Sequence, residues 1–194
     1  MMTRLLGLGL ALLPVAAWAN PVFLPEEDVA VSYELTAPGR APADYQLSYD
    51  AEDELARIDT QAGYYVLANL PAGSAELVVP SLRAVAAAPD FSGLTRMLTS
   101  ADGAQFTALG QGSYAGLPCR KYLVLSHQGT ASVCLTSDGV ILHFAGHDAQ
   151  GSAEVTALSV ARGPQPAGNF AQPQGYNQLN LPPQALAALL GTNE

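Results

Sequence analysis

Apolar and polar side chains alternate one by one through most of this chain, and no other feature of the sequence constrains the fold as tightly. In VAVSYELT, Val29, Val31, Tyr33 and Leu35 fall on one side of an extended chain while Ala30, Ser32, Glu34 and Thr36 fall on the other, as a strand with one buried face requires. DYQLSYD repeats the pattern with Tyr45, Leu47 and Tyr49 on one side. ELARIDT, YYVLANL and SAELVVP follow, separated by the turn-forming pieces QAG and PAG; after an interruption come QFTAL, CRKYLVLS, TASVCLTS, VILHFAG and AEVTALSV. Strands this closely spaced leave no room for the helix-length crossovers of a parallel sheet. The expected class is therefore mainly β with short helices (α+β), built on a curved antiparallel sheet.

The interruption runs from Ser81 to Ala104. There the spacing of Phe91, Leu94 and Leu98, with Met97 beside them, predicts a short helix over about 90–98, capped by Asp90 after Pro89. Such a helix is expected to cover or plug the concave face of the sheet. From Gly163 the chain turns rich in proline and polar residues and is expected to wrap the surface, ending in PPQALAALLG, where Pro183 suits a first helical turn and Gly191 a stop. The predicted organisation is a single β-rich domain over 20–176 and a tail with a short helix over 177–194.

Residues 1–19 read as a secretory signal peptide: Arg4, an apolar run from Leu5 to Leu13, and small residues at Ala17 and Ala19, which place cleavage at Ala19/Asn20. No later stretch approaches the ~20 apolar residues of a membrane-spanning helix, so the expected product is a soluble exported protein. Beyond Ala19, seven basic side chains face seventeen acids, a net charge of −10. That balance argues against nucleic acid and against anionic lipid surfaces as electrostatic partners.

Residues with chemical potential are few. Cys119 and Cys134 are the only cysteines; in an exported chain they are expected to pair, and no Cys-x-x-Cys spacing marks a redox pair. If residues 126–129 form the hairpin loop, Lys121 faces Cys134 and the cysteines lie diagonally. A disulfide would then call for a bulge in one strand or a turn displaced toward Leu125. His143 and His147 stand four apart, about 13 Å along a strand and too far for one ion; His127 falls at a hairpin tip. DAEDE, Asp50–Glu54, lacks the glycine of a calcium loop and is expected to be a solvated turn. GQGSYAG departs from a nucleophile elbow, because Ser113 follows Gly112 directly, and suits a bend or bulge instead. No catalytic residue, metal site or cofactor is therefore assigned, and the chain is not expected to be an enzyme. Asp138–Gly139 is a strong hairpin-turn dipeptide.

From Gly116 onward the sequence resembles a family of exported proteobacterial domains of unknown function. AGLPC, VCLTSDGVIL and GPQPAGNFAQPQGY, within Ala115–Tyr176, carry the likeness. That family is similar in turn to the LolA-like periplasmic lipoprotein-carrier fold, whose members bind acyl chains, lipids or lipoproteins in a half-barrel covered by short helices. The resemblance implies a strongly curved antiparallel sheet or open half-barrel, and a periplasmic protein that binds a lipid, an acyl chain or a lipidated partner in the concave sheet face. The alternative is a cell-envelope structural or protein-interaction module without a small-molecule ligand. Residues expected to line the concave face are Val31, Tyr33, Leu35, Tyr45, Leu47 and Tyr49 of the first strands and Phe91, Leu94 and Leu98 of the helix.

Overall fold

The computed structural model describes residues 21–88, 104–126, 129–148 and 151–180, the side chains of Ser126 and Asp148 excepted. The expected leader, His127, the predicted 90–98 helix with Phe91, Leu94 and Leu98, and the predicted C-terminal helix lie outside them. Among the described residues there is no α-helix, only two 3-10 turns at Pro80–Leu82 and Ala167–Asn169.

Among the described residues twelve strands form one sheet. They are β1 (Val29–Thr36), β2 (Ala43–Asp50), β3 (Leu55–Thr60), β4 (Tyr65–Asn69), β5 (Ser74–Val79), β6 (Ala84–Ala87), β7 (Gln105–Tyr114), β8 (Leu117–Ser126), β9 (Gly129–Leu135), β10 (Ile141–Asp148), β11 (Gly151–Arg162) and β12 (Asn177–Leu179). The spatial order β12-β6-β5-β4-β3-β2-β1-β11-β10-β9-β8-β7 contains two meanders, β1–β6 and β7–β11, joined where β1 pairs with β11. The chain leaves the first meander beside one edge and enters the second at the opposite edge.

The alternating pattern places Val29, Val31 and Tyr33 against Tyr49, Leu47 and Tyr45. These residues belong to one side of the sheet, here the core side. The main buried cluster runs from Val29 and Val31 through Ala56, Val66 and Leu77 to Ala86, takes in Leu142 and Ala157, and reaches both cysteines, which by register face the side opposite to Val133. Val29, Val31, Leu77 and Leu142 are fully buried. A smaller cluster of Leu67, Val78 and Val85, with Tyr65 and Tyr176 against it, occupies the reverse side of β4–β6.

Register shifts interrupt three ladders, at Ser32/Tyr33 against β11, Ile141/His143 against β9 and Ala108/Gly110 against β8. Bulges of this kind sharpen local twist and bend. All three touch the second meander, and there the curvature is strong enough for β7 to approach β10 and β11 as well as its neighbour β8. Asp138–Gly139 does form the β9–β10 turn, closed by Thr136 N–H donating to Val140 O at 3.0 Å. Gly139 adopts φ +86°, and a Cβ there would collide with the Leu24 carbonyl oxygen, so the N-terminal segment packs onto a position that only glycine fits.

Three expectations need correction, and a fourth holds. AVAA, inside the stretch read as an interruption, is strand β6: alanines carry a weak strand signal, and pairing with β5 supplies what propensity lacks. GQGSY, expected to suit a bend or bulge, is the second half of β7 and does carry a bulge, at Gly110. The sheet is not wholly antiparallel, since β12 pairs with β6 in parallel. The domain boundary drawn after Tyr176 consequently falls where the chain rejoins the sheet. DAEDE, as expected, is the β2–β3 turn, with Asp50 Oδ1 accepting from the backbone N–H groups of Glu52 and Asp53.

Candidate functional site

Of the residues expected to line a ligand face, the six on β1 and β2 share the core side, and the structure divides them by depth. Val31 is fully buried and Tyr49 nearly so, as ordinary core. Tyr33 donates its hydroxyl to Ile141 O at 2.8 Å, and burial pushes that phenol far above its usual range. Tyr49 is pushed up to about 12, by burial first and by Glu54 and Asp50 second. Leu35, Tyr45 and Leu47 are half-buried.

Leu35 begins a feature that reading single strands missed. It pairs with Val155, which pairs with Phe144, which pairs with Val133, which pairs with Tyr122. On its other flank Leu35 pairs with Ala43. Paired residues share a side of a sheet, so this register draws one apolar row across six strands, β8-β9-β10-β11-β1-β2. Five interstrand steps of ~4.8 Å make it about 24 Å wide. Val133 is buried and the other four large side chains are half-buried. Among the described residues none of the five belongs to either buried cluster. Of the five, only Leu35 has a face assigned from the sequence; only the ladders reveal that the members are neighbours.

The opposite side of the same strands is different in chemistry. Leu123, Ser132, Ala145, Glu154 and Thr36 form the row there, with Thr130, His147 and Ser152 as the next. These residues line an open recess of about 610 Å³, walled by Ala37 and Pro38 of the β1–β2 turn. His147 Nδ1 meets Ser152 Oγ at 2.8 Å and His143 Nε2 meets Glu154 Oε1 at 2.8 Å. The curl of the second meander stacks Tyr114 on His143, with ring centroids 4.5 Å apart, and sets Lys121 Nζ 5.8 Å from the Tyr114 ring. The two β10 histidines thus have separate partners and do not converge. Among the described residues no three His, Cys, Asp or Glu side chains group as metal ligands.

Cys119 and Cys134 are bonded, with Cα atoms 5.4 Å apart. The β8–β9 register is the one counted from the sequence, Leu125 opposite Thr130 and Lys121 opposite Cys134, so neither the displaced turn nor a bulge between these two strands occurs. The bond is diagonal. Strong right-handed twist brings one diagonal of a ladder closer than the ~7–8 Å of a flatter sheet. The nearby shift lies on the far side of Cys134, where β10 pairs with β9.

No protein-family model matches the sequence, and no curated protein does. Among solved structures, an uncharacterised conserved protein from Thermus thermophilus superposes with a TM-score of 0.58 at 10% identity, over 80% of this chain and 91% of that one. The structure of the Pseudomonas aeruginosa MucA/MucB complex gives 0.53 at 12% identity, over 82% of this chain and 62% of its match. A LolA superfamily protein from Nitrosomonas europaea reaches only 0.38, at 11% identity, too low to carry weight. At these identities the first two likenesses establish a shared sheet architecture: one large, open, curved and almost wholly antiparallel sheet.

Proposed function

We propose that this chain is an exported, non-enzymatic binding module of the cell envelope that holds an apolar group, either an acyl chain, a lipid or a lipidated partner, on the row from Tyr122 to Leu35. The observation that carries the reading is the row itself: large apolar side chains continuous over five strands yet, among the described residues, outside the buried clusters. Apolar area of this extent attracts hydrocarbon without directional bonds, at about 25 cal/mol per Å² removed from water. The leader-like residues 1–19 support export, and no helix among the described residues is long and apolar enough to cross a membrane. Native mass spectrometry of protein isolated gently from the periplasm should reveal a lipid-sized adduct. A fluorescent long-chain fatty acid should bind saturably, and Phe144→Gln should weaken it at least about tenfold while the protein stays folded. Absence of both adduct and saturable binding would remove the proposal.

A second reading, a protein-interaction module without a small ligand, draws on the shared architecture with the MucA/MucB complex, whose reported structure is itself a protein–protein assembly. β7 also favours it, as a ten-residue edge strand free of charged residues and proline, of the kind a partner strand can extend. Crosslinking in the native periplasm that recovers a stoichiometric protein and no lipid would favour this reading over the first.

A further inference from the structure

The tail does more than wrap the sheet. It starts firmly anchored, with Asp28 accepting from Gly163 N–H through its backbone oxygen at 2.9 Å and from Gln165 N–H through its carboxylate at 3.2 Å. It then crosses the reverse side of β3–β5, where its polar ties are looser. Arg57 reaches Asn169 O at 3.4 Å, and the exposed Gln172 amide donates to both Glu76 oxygens at 2.9 and 3.0 Å. At the far end two apolar side chains grip opposite sides of one edge. Tyr176 packs on Leu67, Val78 and Val85 at the reverse side, with the Arg83 guanidinium 5.9 Å from its ring, and Leu179 packs into the main cluster on the core side. Between them Asn177–Leu179 pair with Ala84–Ala86 of β6.

We propose that the β6 edge and the patch beside it form a docking site for an extended protein segment of the form aromatic-x-x-leucine. In this structure the chain's own Tyr176–Leu179 occupies it, and an incoming segment takes it by exchange. The occupant defines the recognition: a ring for the patch, a leucine three residues later for the core side, and a backbone that adds a strand. The same occupant is built to leave. Its strand is three residues long, it makes the only parallel pairing among the described strands, and Asn177 and Gln178 are exposed. Parallel pairing is slightly less stable per residue than antiparallel, so the tail's own strand is held weakly enough for a competing segment of the same form to displace it. Release of the distal end leaves the Asp28 anchor intact. This surface is separate from the apolar row, and the inference stands or falls independently of acyl-chain binding.

The test uses the full chain and a fluorescent peptide of the tail sequence, QPQGYNQLN, followed by anisotropy. In Y176A/L179A the chain's own tail no longer competes, and the peptide should bind at least about tenfold more tightly than to the unaltered chain. A peptide with alanine at both anchor positions should lose at least about tenfold. Equal binding of the two peptides by the folded variant, or none of either, overturns the proposal. Hydrogen exchange on the unaltered chain gives an answer even if the variant fails to fold. Excess tail peptide should speed exchange at Asn177–Leu179 while Ala84–Ala87 stay protected; an unchanged pattern at saturating peptide overturns it equally.

Discussion

Asp138 concentrates several demands in one side chain. Its two carboxylate oxygens accept from Arg162 Nε and Nη2 at 2.7 and 3.0 Å, and its backbone oxygen accepts from Glu26 N–H at 3.0 Å. The β9–β10 turn is thereby tied both to the end of β11 and to the N-terminal segment. The Arg162 guanidinium holds the carboxyl down to about 2, against partial burial that acts in the opposite sense. A lowered folded value means that the charged form is favoured by folding. The stabilisation is therefore complete above the unfolded value near pH 4 and is lost as pH falls through about 2. Arg162 is about a third exposed and Asp138 somewhat less, so screening leaves the pair worth about 1 kcal/mol. Asp138→Asn should cost about that much in urea melts at pH 7, and the gap to the unaltered protein should close between pH 4 and pH 2. A gap that persists undiminished at pH 2 would show that the loss is not the ion pair's. The turn dipeptide was legible in the sequence. Its partner was not, because 24 residues separate Asp138 from Arg162 and nothing local links them.

At the scale of elements, the β8–β9 hairpin shows how an inference from counting can be right in register and wrong in consequence. The pairing of Leu125 with Thr130 followed from loop length alone. That the diagonal cysteines then needed a bulge or a moved turn assumed a flat ladder, and twist removed the need. Both cysteines are buried, Cys119 at 6% exposure and Cys134 at 1%, so a reductant acts on the unfolded chain far more readily than on the folded one. Closing a loop with a sequence separation of 15 stabilises by about 3 kcal/mol in the chain-entropy model. The double variant C119A/C134A should lose roughly that amount in denaturant melts while keeping its far-ultraviolet strand signal. A loss well below 1 kcal/mol would mean that the hairpin is held by its ladders alone. β6 makes the complementary point: AVAA has no periodicity to read, and it is a strand because β5 and β12 flank it.

For the molecule as a whole, the decisive contact is the seam between β1 and β11, which makes one sheet of two meanders. Val31 lies in that seam, fully buried, paired with Leu47 on one flank and Val160 on the other. Removing its two methyl groups in Val31→Ala should cost about 2 kcal/mol. Because the seam couples the meanders, hydrogen exchange should accelerate in both to the same extent, as in a single cooperative unit. Acceleration confined to β1–β6 would show that the meanders unfold separately. The same seam creates the apolar row, since Leu35 of the first meander and Val155 of the second become neighbours only there.

Alternation by itself determined the class of this protein, the identity of most strands and the sidedness of Val31, Tyr33, Leu35, Tyr45, Leu47 and Tyr49, because the side-chain period of a strand is a local property of the backbone. Loop length and turn chemistry determined two hairpins for the same reason. Tertiary structure alone decided the strand order, the seam, the row across six strands, the diagonal disulfide and the return of the tail as a parallel edge strand. These depend on which strands meet, and therefore on burial and twist summed over the whole sheet, which no short stretch of sequence encodes.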